Sequence, residues 1–186
     1  TKQVEKYNAD KWSNFYKEGL EYIIELNRAG YFIKEQYTSI ILAKILTPTN
    51  PRYVDLQSPS GIGISAIVYN YDGDVYASDE ARMLKEMGDE KFKLGNVHKD
   101  IYEDILTSDV LLDALEDSIA ESAPMCSECG LLPYCGSDPV YHYATQGDVV
   151  GKKPLSFYCK KNTSIIEHIF TLLEDPNSRA VLESWI

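Results

Sequence analysis

Four cysteines are the residues in this sequence whose type and spacing could do chemistry. They form the pattern Cys126-x2-Cys129-x5-Cys135-x23-Cys159, and no cysteine precedes residue 126. A Cys-x2-Cys pair brings two sulfurs to one centre from a tight turn, and the glycines and proline that follow let the chain fold around that centre. Four thiolates suit either a zinc ion or an iron–sulfur cluster, and the spacing alone does not choose between them. All four cysteines are therefore candidate metal and cofactor ligands.

Three other motifs are weaker candidates for chemistry. His142 lies between the third and fourth cysteines and could replace a ligand, although a histidine there is more often a packed residue. The stretch 61–66 fits the dinucleotide fingerprint G-x-G-x-x-A, but it leads into a predicted hairpin rather than a helix, so nucleotide binding is not expected. Asp79 and Glu80 fall in the first turn of a predicted helix, where carboxylates are favoured by the helix dipole, so no acid–base pair is assigned.

Length and composition exclude several classes of protein. The 186 residues are 44% hydrophobic and include 14 tyrosines, enough to build a core and too apolar for a disordered chain. No stretch approaches the roughly 18 apolar residues of a membrane span. The polar opening residues predict no signal peptide, and the few cysteines are typical of a reducing compartment, so a cytoplasmic location is expected.

The net charge of -11 is unevenly distributed along the chain. Residues 51–125 carry 6 basic and 16 acidic side chains, whereas the segments before and after them are close to neutral. Nucleic-acid binding is disfavoured because phosphate contacts need a basic surface. The acidic segment is interpreted either as a solvated helix face or as a docking surface for a basic partner or peptide.

Periodicity predicts the elements that must position the cysteines. Helices are expected over 9–29, with Asn8 as the cap, and over 35–47, followed by a turn-rich linker over 47–61. A hairpin with a type I′ turn is expected around Asp72-Gly73, then a short helix capped by Ser78 and a strand or turn at 91–98. Further helices are expected at 99–106, 109–122, 163–174 and 178–185, with Asn162 and Asn177 as caps. The cysteine-rich stretch has no period and predicts loops around a metal.

The hairpin YNYDGDVYAS, the segment FKLGNV (92–97), the following helices and C-x2-C-x5-C with a distal cysteine together resemble the SPASM domain. That domain is the auxiliary iron–sulfur module of radical SAM oxidoreductases that modify peptides, and the likeness runs from about residue 60 to 162. The run YNYDGDVYASDEARM with GDEKFKLGNV looks most like the His-Xaa-Ser system maturase. The resemblance implies an α+β fold, twitch-like, with a small hairpin and helices around a Cys-ligated site.

The departures from the SPASM pattern narrow what the resemblance implies. Ser78 and Pro139 stand where the full pattern has cysteines, and the upstream cysteine is also absent. The four thiols that remain match one ligand set, so the resemblance implies a single, fully ligated [4Fe–4S] cluster serving electron relay and structural support. The chain also lacks C-x3-C-x2-C, whose three thiolates leave an iron for S-adenosylmethionine, so it should be inactive alone.

The resemblance divides the chain into three parts. Residues 1–50 look like the helical end of a partial barrel, 51–174 like the auxiliary-cluster domain, and 175–186 like a C-terminal helix. The expected partners are an N-terminal radical SAM barrel of the same enzyme, which would bind S-adenosylmethionine, and a ribosomally made precursor peptide. The alternative is a non-enzymatic zinc module that binds a partner protein through the same four cysteines. Zinc could also enter a cluster site in a fragment handled in air.

Overall fold

The computed structural model describes residues 8–186, so residues 1–7, on which part of the signal-peptide argument rests, lie outside the described residues. The α-helices are α1 (Ala9–Arg28), α2 (Gln36–Leu46), α3 (Asp79–Glu86), α4 (Tyr102–Leu106), α5 (Asp109–Asp117), α6 (Pro139–Gln146), α7 (Phe157–Glu174) and α8 (Pro176–Glu183). The strands are β1 (Val68–Tyr69), β2 (Asp74–Tyr76) and β3 (Lys93–Asn96). The predicted α+β class is confirmed in this form, rich in helix with one small sheet.

The chain divides into two compact units. The terminal unit comprises residues 1–51 and 155–186, and the central unit comprises residues 52–154. The sequence-based division instead placed residues up to 174 with the cluster module. In the structure α7 packs against α1, α2 and α8, which groups the end of the chain with its beginning.

The terminal unit is a helical bundle with an apolar core. Asn8 Oδ1 accepts the N–H of Asp10 at 2.8 Å and begins α1, as expected of an N-cap. The core side chains are at most 9% exposed and come from all four helices and the last residues of the chain: Leu20, Ile24, Ile41, Leu42, Ile165, Ile166, Ile169, Leu173, Leu182 and Trp185. Removal of this apolar surface from water is the main stabilising term for the unit.

Two predicted caps at the end of the chain are wrong. Asn162 lies inside α7 and is buried, because α7 begins earlier, where Ser156 Oγ accepts the N–H of Cys159 at 3.0 Å. Asn177 lies inside α8, which Asp175 caps by accepting the N–H of Ser178 at 2.9 Å. In both places the helix is capped by a serine or aspartate upstream of the predicted asparagine, although these residue types are about equally good caps.

The central unit is built on a three-stranded antiparallel sheet in the order β1-β2-β3. The predicted hairpin is confirmed, with Val68 opposite Tyr76 and Tyr69 opposite Val75. The predicted type I′ turn is wrong, since that turn needs a positive φ at both central residues and only Gly73, at +85°, has one. Gly73 N–H instead donates to the carbonyl of Asn70 at 3.0 Å, which closes a wider loop.

Short helices cover this sheet. Ser78 Oγ accepts the N–H of Ala81 at 3.2 Å and begins α3 as expected, while α3 and α6 pack against each other. Helix α6 was missed from the sequence, which predicted loops through Pro139. Pro139 is the first residue of α6, where a missing N–H costs nothing, and Asp138 caps the helix by accepting the N–H of Tyr141.

Candidate functional site

Three of the four candidate ligands lie on a short coil of consecutive turns in the central unit. The N–H of Cys126 donates to the carbonyl of Ala123 at 3.1 Å, that of Cys129 to Cys126 at 3.0 Å, and that of Cys135 to Leu131 at 3.1 Å. The backbone N–H groups of these three cysteines are thus satisfied within the segment itself. Cys129 is exposed, and Cys126 and Cys135 are half-buried.

Gly136 anchors this coil of turns to the rest of the central unit. A Cβ at this position would lie 2.4 Å from both the carbonyl oxygen of Asp55 and the nitrogen of Gln57. Only glycine allows that approach of two backbones. The next residue, Ser137, donates its N–H to the carbonyl of Gln57 at 3.2 Å. These contacts fix the position of Cys135, which immediately precedes Gly136.

Lys153 brings a buried positive charge to the same unit. Its side chain is almost inaccessible, and Nζ donates to the carbonyl of Val150 at 2.7 Å. Burial lowers the pKa of Lys153, and the negative charge of the Cys126 thiolate acts in the opposite direction. Lys153 and Cys126 therefore interact electrostatically within the central unit.

Cys159 belongs to the terminal unit, where it occupies the first turn of α7. Its N–H donates to the capping Ser156 Oγ, and its sulfur lies 3.9 Å from Thr163 Oγ1. Thr163 is one helical turn further along, so the sulfur and this hydroxyl share one face of α7.

All four cysteines are thiols rather than disulfides. In residues 8–186, no group of three or more His, Cys, Asp or Glu side chains is placed together to hold a metal ion. The donor chemistry nevertheless fits an iron–sulfur cluster, because the chain offers four thiols and three of them lie on a turn-rich segment that includes a short 3-10 helix at Leu132–Tyr134. Ligation by these four residues stays a prediction.

His142 has a packing role in the structure. It is fully buried, Nδ1 lies 2.6 Å from the carbonyl oxygen of Asp138, and burial lowers the pKa of the imidazole. Gly151 lies so close that a Cβ there would come within 2.8 Å of His142 Cβ. The imidazole therefore helps to seat the loop after α6 on that helix.

The fingerprint-like stretch 61–66 is a tight loop that precedes β1. The carbonyl of Gly61 accepts the N–H of Ser65 at 2.7 Å, and the N–H of Gly63 donates to the carbonyls of Ala66 and Ala77. The next regular element is a strand, so the helix that would receive a pyrophosphate does not follow. Asp79, discounted as an acid–base residue, forms an ion pair with Arg82 one helical turn away at 3.0 Å.

A polar network around Asp74 was missed from the sequence. The Asp74 carboxylate is 9% exposed and lies 2.7 Å from Lys93 Nζ and 3.2 Å from Lys85 Nζ. Asn96 Nδ2 donates to it at 2.8 Å, and the hydroxyl of Tyr76 donates at 3.3 Å. Hydrogen bonds from Lys93 and Asn96 hold the pKa of Asp74 far below its usual range. This network joins β2, β3 and α3, and the repeated Asp in the DGD hairpin was the available signal.

Comparison with solved structures identifies the architecture. A histidine-tagged form of anSMEcpe with bound AdoMet matches with a TM-score of 0.68 and 18% identity, covering 98% of this chain and 47% of that chain. Native anSMEcpe with bound AdoMet matches with a TM-score of 0.64 and 16% identity, covering 98% of this chain and 45% of that chain. Native anSMEcpe with bound AdoMet and Cp18Cys peptide also matches with a TM-score of 0.64 and 16% identity, covering 98% of this chain and 47% of that chain. The protein anSMEcpe is a radical SAM anaerobic sulfatase-maturating enzyme with a SPASM domain.

The fold of the chain is SPASM-like. The chain spans about half the length of the solved structures it matches. No protein-family profile and no curated protein sequence matches it. The likeness does not single out the His-Xaa-Ser system, which stays an expectation from sequence. Within residues 8–186, none of the helices combines the length and the apolar character that crossing a bilayer requires.

Proposed function

We propose that this chain is the auxiliary-cluster and substrate-positioning portion of a radical SAM enzyme that modifies a ribosomally made peptide. The observation that carries the proposal is the coincidence of two independent features. One is the four-thiol pattern Cys126-x2-Cys129-x5-Cys135-x23-Cys159, and the other is a SPASM-like fold spanning 98% of the chain. Neither feature alone would separate an iron–sulfur module from a zinc module.

The proposed ligands of one [4Fe–4S] cluster are Cys126, Cys129, Cys135 and Cys159. A cluster held by four thiolates would supply one-electron transfer without an open iron for substrate. Cys126, Cys129 and Cys135 come from the turn-rich coil that Gly136 anchors to residues 55–57. Lys153 is buried in the same unit and interacts electrostatically with Cys126. Cys159 lies in the first turn of α7, where the positive end of the helix dipole favours a thiolate.

The proposed enzyme needs a second domain for its radical chemistry. The chain contains no C-x3-C-x2-C motif, so the cluster that binds S-adenosylmethionine belongs to a radical SAM barrel in this proposal. The neighbours with bound AdoMet extend over roughly twice the span of this chain, which supports such an arrangement. One of them also contains a bound peptide, which supports a peptide as the substrate class. A member of the His-Xaa-Ser system is our specific expectation.

Anaerobic reconstitution with iron and sulfide tests the metal assignment. We expect about four iron and four sulfide per chain, with broad visible absorption from sulfur-to-iron charge transfer. Oxygen must be excluded because thiolates oxidise readily. One tightly bound zinc with no capacity for iron would instead support the zinc-module alternative and overturn the proposal.

Single Cys→Ala variants identify the ligands. Each of the four replacements should abolish stable cluster assembly, because a cluster iron would lose its protein ligand. Ser127→Ala is the matched control, since Ser127 is exposed and lies between the first two cysteines. Retention of full iron content in Cys159→Ala would remove that residue from the ligand set.

A further inference from the structure

An apolar groove lies between α3 and α6 in the central unit, and none of the four cysteines lines it. Its walls are formed by Met83 and Leu84 from α3, by Met87 directly after α3, and by Val140, Tyr141 and Ala144 from α6. Leu84 and Val140 are buried and form the floor, whereas Met83 is 55% exposed and Met87 is 75% exposed. Two exposed methionines one helical turn apart form a continuous apolar edge beside this floor.

The size of the groove decides what kind of ligand fits. Its volume is about 190 Å³. Pockets for drug-sized ligands have volumes of about 300–1,000 Å³ and bury most of the ligand. This groove is smaller and open along one side, so it suits a few apolar side chains of a helix or an extended segment. Methionine is also suited to such recognition, because its flexible, polarisable side chain adapts to different partners.

The charge around the groove decides what kind of segment fits. Glu80 and Asp138 contribute to its lining, and among the described residues that line it none is basic. The two basic residues of α3 are committed elsewhere: Arg82 pairs with Asp79 at 3.0 Å, and Lys85 pairs with Asp72 at 2.7 Å. The central unit as a whole carries 8 basic and 19 acidic residues, so its field attracts positive charge.

We propose that the groove between α3 and α6 is a docking site for a basic amphipathic peptide segment. Apolar side chains of the segment contact Met83 and Met87 and reach the floor at Leu84 and Val140. Lysine or arginine side chains of the segment lie near Glu80 and the acidic surface of the central unit. The proposal goes beyond cluster binding and does not depend on it, because none of the groove residues is a proposed ligand.

Methyl NMR of the full chain labelled at the methionine methyl carbons tests the docking site. The protein has three methionines, and Met125 lies outside the groove with 70% exposure, so it is a built-in control. The probe is a helical peptide of about 18 leucine and lysine residues with the leucines on one face. We expect saturable shifts of the Met83 and Met87 signals and an unchanged Met125 signal.

Variants and a second peptide separate docking from non-specific attraction. Met83→Gln combined with Met87→Gln should weaken binding by about tenfold or more, whereas Leu112→Gln on exposed α5 should leave it unchanged. A peptide with glutamate in place of lysine should not bind. Equal binding of the acidic peptide, or equal shifts of all three methionines, would overturn the proposal.

Two further observations distinguish the possible occupants. Concentration-dependent shifts of Met83 and Met87 without peptide would mean that a second copy of the chain fills the groove, which contradicts the proposal. The shifts with peptide should be the same in iron-free and iron-loaded protein. Failure of cluster assembly would therefore leave this test intact, and loss of docking would leave the proposed cluster function intact.

Discussion

The terminal unit carries ten basic and ten acidic residues, whereas the central unit carries eight and nineteen, so the entire net charge lies in the central unit. The units also differ in construction. The described part of the terminal unit consists mainly of helices around an aliphatic core. The central unit combines three strands of two to four residues with short helices and turns.

This contrast indicates two different sources of stability. Burial of large aliphatic side chains stabilises the terminal unit, and such burial depends little on pH or metal. The central unit has its own apolar cluster around Val75, Tyr76 and Phe92, but short strands alone are marginally stable. It therefore relies more on specific devices: the Asp74 network, the close backbone contact at Gly136 and, in the proposed function, a metal cluster. Substitutions in the two units should therefore have different effects on stability, metal content and pH dependence.

The largest effect is expected from Cys129→Ala. The variant should lose nearly all reconstituted iron, and backbone amides over 123–136 should exchange faster because the turns lose their common ligand. Helix α1 should exchange as in the wild type. Hydrogen–deuterium exchange by mass spectrometry measures both regions at once. Unchanged exchange over 123–136 in a cluster-free variant would contradict a structural role for the cluster.

A large loss of stability confined to the terminal unit is expected from Ile169→Ala. Ile169 is fully buried on α7, so the variant should lower the free energy of unfolding by about 4 kcal/mol through lost transfer energy and a cavity. Thermal unfolding measures the loss. Exchange over 62–96 in iron-free protein should change little if the units are independent in stability. Iron-free protein is used because Cys159, a proposed cluster ligand, also lies on α7. Equal destabilisation of both units would show instead that they unfold together.

Gly136→Ala should destabilise the central unit by about 3 kcal/mol, because its Cβ would meet backbone atoms of residues 55–57 that cannot move without cost. The matched control is Gly130→Ala in the same coil, where a Cβ meets nothing within 4 Å. Gly136→Ala should unfold at a lower urea concentration and bind less iron than Gly130→Ala. Similar behaviour of the pair would mean that the contact with residues 55–57 does not position Cys135.

The smallest effect is expected from Asp74→Asn. The variant should lower the free energy of unfolding by about 2 kcal/mol, which is the typical contribution of a hydrogen bond to a charged group. Because the pKa of Asp74 is lowered in the folded protein, its carboxylate stabilises the fold above the ordinary aspartate pKa of about 3.9. That contribution is lost as pH falls through the folded pKa. The free energy of unfolding should therefore differ most between wild type and variant near pH 7, and this difference should shrink below about pH 4.

Asp79→Asn is the control for Asp74→Asn. Asp79 forms an ion pair with Arg82, but its side chain is 63% exposed, so the change should be close to neutral at every pH. Unfolding by urea measured from pH 3 to pH 7 compares the two variants. A pH-independent difference between wild type and Asp74→Asn would show that shape, rather than charge, explains the effect.

Local patterns predicted much of the secondary structure. Helix α1, its cap Asn8, the cap Ser78 and the Asp-Gly hairpin were all readable because each depends on residues within a few positions of one another. The caps of α7 and α8 failed because several acceptors lay close together in the sequence, and only packing determined which one began the helix. Helix α6 was not predicted because the Cys, Gly and Pro residues in its vicinity suggested loops.

Four features follow from the order of the amino acids alone: the four thiols, their spacing, the missing C-x3-C-x2-C motif and the concentration of negative charge in the middle of the chain. Three other features became known from the folded chain: α7 and α8 pack with α1 and α2, β3 pairs with β2 and is joined to Asp74, and α3 and α6 form an apolar groove. These features depend on contacts between residues far apart in the chain. Burial and charge pairing select such contacts, and local periodicity does not encode them.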